Sequence, residues 1–207
     1  MVRIAVFGSN GDLGKEVIKS CRKRGLDVEG YERNPTDNKN KRISEFNPNE
    51  QFDCYIFSIG KFDPKPFIEM TQLEIREEVE SNFILPIELA NQILRKQGNN
   101  RKRKDLIFIG STSAYEGFAN TSVYCASKFA LRGFVESLNK EYKESDIRFH
   151  LISMGTMNSR MGEKVALNQD RTTFLDLNEI AEKIIDIAAG KTSIFQPEII
   201  FRRRHVK

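Results

Sequence analysis

Residues 2–25 read VRIAVFGSNGDLGKEVIKSCRKRG: an apolar β-branched run, a glycine-punctuated turn and an amphipathic stretch in direct succession. Val2–Phe7 has the composition of a buried strand, and Val17, Ile18 and Cys21 recur at helical spacing behind it. Gly8, Gly11 and Gly14 punctuate the join. A turn of this kind lets backbone approach a diphosphate closely, and the helix that follows offers free N–H groups and the positive end of its dipole to an anion. The segment Gly8, Ser9, Asn10, Gly11, Asp12, Leu13 and Gly14 is therefore the candidate diphosphate-binding turn. Its GxxGxxG spacing differs from the GxGxxG dinucleotide fingerprint. A Walker A loop is excluded, because Ser9 stands where its first glycine belongs and Glu16 where its Ser/Thr belongs. An ordinary strand–helix turn would carry the same residues, so the stretch decides the fold class but not the ligand.

Outward from this unit the alternation continues. DVEGYER (27–33), DCYIFSIG (53–60), DLIFIG (105–110) and IRFHLISM (147–154) read as further strands, with PEIIFR (197–202) as a last one. Helices are expected over about 71–96, 123–143 and in LNEIAEKIIDIAAGK (177–191), and at most a short one between 34 and 51. Strands alternating with helices predict an α/β fold, a Rossmann-type doubly wound parallel sheet with helices on both faces, as one domain over 1–207. At the end of the second strand Glu32 and Arg33 compete for the adenosine ribose. Arg33, followed by Asn34, suits a 2′-phosphate and so NADP over NAD, whereas Glu32 reads as a surface charge.

The 207 residues carry 33 Lys+Arg against 29 Asp+Glu, a net charge of +4. This mild excess suits an anionic ligand and does not call for nucleic acid. The basic runs Arg101–Lys104 and Arg202–Arg204 lack interleaved aromatics and read as solvated charges. Cys21, Cys54 and Cys125 are odd in number and have no CxxC spacing, which predicts a reduced, cytoplasmic chain. No apolar run nears the ~20 residues of a membrane span, and no signal peptide is read. The two histidines are far apart, His150 in a strand and His205 in the tail, so no metal site is expected.

VYCASKFAL (123–131) places Tyr124 and Lys128 one helical turn apart on the stripe that continues to Leu131 and Val135. A cation about 4 Å from the phenol, at an effective dielectric near 20, would attract the phenolate by about 4 kcal/mol, or roughly three pKa units. That would bring the hydroxyl near neutrality, ready for general acid–base work. Such pairs are common on amphipathic helices, and the spacing alone does not decide.

Ser111 in FIGSTSAYEG, Asn82 in VESNFILP and the loop SMGTMNS after the 147–154 strand add to it. Together these motifs resemble the short-chain dehydrogenase/reductase family, in order, from residue 3 to about 160. The resemblance implies a catalytic set of Asn82, Ser111 (Ser113 as fallback), Tyr124 and Lys128. It implies hydride transfer between NAD(P)H and a small-molecule carbonyl or alcohol, with Tyr124 as proton donor. Lys128 would lower the Tyr124 pKa, and Asn82 would hold a water linking Lys128 to solvent. Cofactor contacts are implied at Gly8–Gly14, Arg33, Asn34, Ser58, Ile59, Gly60, Tyr124, Lys128, Gly155, Met157 and Ser159. Phe118 and Tyr115 are candidate pocket residues. A homodimer or homotetramer is implied, and no membrane partner. The sequence departs from the family pattern at Met154, where a proline is usual, and at FSIGK, where only Gly60 fits. The substrate lid, about 160–175, is short. The alternative reading is a dinucleotide-binding redox sensor or scaffold without turnover.

Overall fold

The computed structural model describes residues 2–35, 40–97, 103–165, 170–190 and 195–203. His205, Arg101, Lys102 and Arg204 lie outside them. The elements run β1 (Arg3–Phe7), α1 (Asp12–Lys23), β2 (Asp27–Glu32), β3 (Lys41–Arg42), β4 (Cys54–Phe57), α2 (Gln72–Val79), α3 (Leu85–Gln97) and β5 (Lys104–Ile109). They continue with α4 (Ser122–Glu141), β6 (Ile147–Met154), α5 (Arg160–Val165), α6 (Leu177–Ala188) and β7 (Glu198–Phe201). The sheet order is β3-β2-β1-β4-β5-β6-β7, and every pairing is parallel. This is the doubly wound fold the alternation predicts.

Each central strand is apolar on both sides because helices cover both. Ile4, Val6, Ile56, Ile107 and Ile152 face α1 and α6, which contribute Val17, Ile18, Cys21, Ile180 and Ile184. Ala5, Phe7, Tyr55, Phe57, Leu106 and Phe108 face the other way, toward Leu89 and Ile93 of α3 and Leu131 and Val135 of α4. On this second face Tyr31, Phe7, Phe57 and Phe108 stand in register on four strands, with neighbouring rings 5.3, 5.3 and 4.5 Å apart. The row lies close beneath the strand ends that carry the site.

Two features depart from the sequence reading. The expected 71–96 helix is two helices, α2 and α3, joined by a π-helical turn over Glu80–Ile84. Its start is fixed by a capping box between Thr71 and Glu74. Lys104, taken for a solvated charge, opens β5 and is buried. Its ammonium donates to the Phe52 carbonyl at 2.7 Å, so the long stem crosses the core edge to a fixed acceptor. His150 is a sheet histidine, hydrogen-bonded to Asp105 at 2.9 Å and to the Gln196 carbonyl at 2.8 Å.

Between β6 and α6 the chain leaves the sheet and returns. Met157 and Leu175 form a parallel bridge, and the Asn158 and Leu175 amides donate across it to Leu175 and Thr156 carbonyls at 3.0 Å each. The excursion between them carries α5 and a 3-10 turn over Arg171–Thr173.

Candidate active site

The carboxyl ends of β1, β4, β5 and β6, adjacent in the sheet, deliver Gly8, Ser58, Ser111 and Gly155 to one edge. Gly8 has φ +87° and donates its amide to the Tyr31 carbonyl at 2.9 Å. A Cβ on Gly14 would lie 2.2 Å from the Gly8 carbonyl oxygen. The obstacle there is backbone, which no rotamer change relieves. Gly14→Ala is therefore expected to cost about 2 kcal/mol or more of stability and to deform the turn. Urea unfolding checks this, and a variant as stable as the parent would refute it.

Gly11 caps α1 and brings no side-chain acceptor, which leaves the first-turn amides without a side-chain cap. Glu32 is not the idle surface charge expected from its position. It accepts from the Ser9 hydroxyl at 3.1 Å and from the Asn10 amide, bracing the turn from the end of β2. Arg33 and Asn34 are exposed just beyond it. Arg160, unremarked in the sequence, clasps the same turn. Its amide and Nε donate to Asp12 at 2.7 and 2.8 Å.

Tyr124 and Lys128 are both buried in α4. The Lys128 ammonium donates to the Ile109 carbonyl at 3.0 Å and lies 5.6 Å from the centroid of the Tyr124 ring. The expected lowering of the Tyr124 pKa is not found. Burial pushes the phenol up to about 12, against a hydrogen bond with Ser111 that lowers it, while the neighbouring Cys125 and Glu78 raise it further. Burial likewise brings the Lys128 amine down to about 8. The i,i+4 spacing brings the two side chains together, but the ammonium lies over the ring and not at the hydroxyl. Desolvation then decides both groups.

Ser111, at the end of β5, also accepts from the Ser113 amide at 3.1 Å, which holds the short turn that follows it. Asn82 sits in the π-helical turn, which packs against α4. Its amide nitrogen donates to the Lys61 and Glu78 carbonyls at 2.7 and 2.9 Å, and its oxygen accepts from the Lys61 amide at 3.3 Å. This side chain is occupied by backbone and braces the loop after β4. Gly60 belongs to that brace, since a Cβ there would meet the Asn82 oxygen at 2.9 Å.

A cavity of about 660 Å³ opens on Ser111, Ser113, Tyr124, Gly155, Met157 and Ser159. Phe62, Pro64, Phe118, Met154, Met161 and Val165 supply the apolar part of its wall, and Glu116, Asn120, Lys164, Arg202 and Arg203 make the rest polar. Tyr115 is not among its walls: its hydroxyl donates to Glu198 at 2.6 Å. Ser58, Ile59 and Gly60 lie outside the cavity lining, along the same sheet edge. Phe62 and Glu78 were invisible to motif reading. Glu78 offered one signal, its place one turn before Asn82. Among the described residues no group of three metal-ligating side chains occurs, and no helix is long and apolar enough to cross a membrane. The three cysteines are free and buried.

The uncapped start of α1, the glycine turn and the continuous row of strand ends suit a dinucleotide, with the cavity left for a substrate. A family model described as short chain dehydrogenase matches residues 3–170. The chain is 24% identical to the 3-oxoacyl-(acyl-carrier-protein) reductase of Buchnera aphidicola, over 91% of this chain and 90% of that protein. It is 27% identical to a 3-ketodihydrosphingosine reductase of Cryptococcus neoformans over 49% of this chain, a match spanning 31% of that relative. With the benzil reductase of Bacillus subtilis it shares 21% over 75% of this chain and 74% of that protein. Among solved structures, a 4-hydroxyisoleucine dehydrogenase complexed with NADH superposes with a TM-score of 0.81 at 16% identity, covering 97% of each chain.

Proposed function

This chain belongs to the short-chain dehydrogenase family, and on that footing we propose that it is an NAD(P)-dependent oxidoreductase that interconverts a ketone or aldehyde and its alcohol. The observation that carries the reading is the pairing of a protonated Tyr124 hydroxyl with Ser111 at the wall of the cavity. The nicotinamide, when bound, supplies or accepts the hydride. Tyr124 keeps its proton at neutral pH and hands it to the carbonyl oxygen as negative charge develops there. Ser111 donates a hydrogen bond to the same oxygen, which is worth most where water is excluded. Lys128, titrating near pH 8, is the proton store of this buried cluster. Met157, Met161 and Val165 line the cavity and would form the inner side of the substrate lid.

Both bacterial relatives are named as reductases, one of a 3-oxoacyl group and one of benzil, which supports a carbonyl substrate. Gly8–Gly14 would hold the diphosphate, with Gly155, Met157 and Ser159 at the nicotinamide end. Ser58, Ile59 and Gly60 would border the groove between them. At the adenosine end Glu32 is committed to the turn, and Arg33 with Asn34 is free to meet a 2′-phosphate, so NADP is the preferred dinucleotide. Arg33→Ala is expected to weaken NADPH binding about tenfold, the loss of one charge-assisted contact, and to leave NADH unchanged. Equal weakening of both overturns the 2′-phosphate assignment. The reading as a whole is tested by following dinucleotide oxidation with apolar and polar aldehydes and ketones. Turnover of at least one carbonyl class is expected. Tight dinucleotide binding with no turnover on any of them would sink it.

A further inference from the structure

The loop after β4 is held more tightly than an ordinary strand–helix connection. Asn82 takes both the amide and the carbonyl of Lys61. The buried Glu78 carboxylate accepts from the Asp63 amide at 3.3 Å. From the opposite side Lys164 of α5 donates to the Phe62 carbonyl at 3.1 Å. Side chains from two segments, the 72–84 helical run and α5, thus fix the backbone on each side of one residue, Phe62. Its ring is fixed in turn: it meets the Tyr124 ring edge-to-face, centroids 4.8 Å apart at 80°, and is itself buried while forming part of the cavity wall.

Resting on the reductase reading, we infer that Phe62 is the specificity-determining residue of the site: its anchored ring limits the size of the group that can flank the reacting carbonyl on the Tyr124 side. A wall residue that can swing away accommodates bulk at small cost. One whose backbone is pinned at Lys61, Phe62 and Asp63 cannot, so bulk there displaces the carbonyl from the Tyr124 hydroxyl. The substrates that fit carry one small and one larger substituent on the carbonyl carbon. Glu78, outside the cavity lining, is a positioning residue acting through the Phe62 loop, whereas Lys164 both holds the Phe62 carbonyl and lines the cavity.

The test compares kcat/KM for a methyl ketone with that for a diaryl ketone in the parent, Phe62→Ala and Phe62→Leu. The diaryl-to-methyl ratio is expected to rise about tenfold or more in Phe62→Ala and by less in Phe62→Leu, with dinucleotide affinity unchanged. Phe62→Leu keeps an apolar filling and serves should the alanine variant fail to fold. Glu78→Ala, which frees the Asp63 amide without altering the ring or the cavity lining, is expected to move the ratio the same way. A merely structural tether would change stability and leave the ratio alone. A ratio unmoved in a folded Phe62 variant, while the parent turns over the methyl ketone, overturns this inference alone. A parent that reduces no carbonyl overturns the reductase reading itself.

Discussion

Tyr124→Phe is expected to lower turnover by about three orders of magnitude while leaving dinucleotide binding and stability near those of the parent. General acid–base groups contribute about 10²–10⁴ to rate. The substitution removes one hydroxyl and keeps the ring, so the edge-to-face contact with Phe62 and the packing of α4 survive. Burial holds the hydroxyl's pKa up to about 12, so it carries its proton across the physiological range, as the proposed donor role requires. Stopped-flow or steady-state oxidation of NADPH, with binding measured separately by fluorescence, separates the two effects. A variant with near-parental turnover would remove Tyr124 from the chemistry.

The second large effect joins activity and stability at Lys128. Its pKa in the folded chain, about 8, lies below the ordinary 10.5 because burial disfavours the charged amine. A depressed folded value means that the unfolded chain binds more protons between the two. The amine's contribution to stability is therefore full above 10.5 and is lost as pH falls through about 8. At pH 7 both states are protonated, and burying the ammonium costs about 3 kcal/mol, of which its hydrogen bond to Ile109 returns about 1. Lys128→Met, close in length and uncharged, is expected to be inactive yet about 2 kcal/mol more stable than the parent at pH 7. The advantage should shrink between pH 8 and 10.5. Urea unfolding of both proteins across that range checks it, and a gap that stays constant with pH would show that the amine is not carrying the cost. Trading stability for a functional group is common in enzyme sites.

How much of this was readable beforehand depended on whether the determining contacts were local. β1, the glycine turn and α1 are contiguous, so period and turn chemistry were enough to place them. Tyr124 and Lys128 share a helix face by spacing, and their proximity was legible. Their protonation was not, because spacing says nothing of where an ammonium points or how completely water is excluded. Lys104 misled for a related reason. Its sequence neighbours are charged, and only the paired strand reveals a carbonyl waiting for its tip. The π-helical turn at 80–84 escaped because a reading based on 3.6 residues per turn has no place for a wider one. Glu32 looked idle because its donors, Ser9 and Asn10, lie over twenty residues upstream. The bracing of Phe62 draws on the helical pair 78 and 82 and on the remote 164, which meet the loop only in space.

The bridge between Met157 and Leu175 ties off the intervening segment at its base, so the sheet does not register what lies within. Each doubling of such a loop adds only about 0.6 kcal/mol of closure entropy. Length added beyond α5 is therefore cheap, whereas Arg160 and Lys164 tie the start of the segment to the glycine turn and to the Phe62 loop and must stay in place.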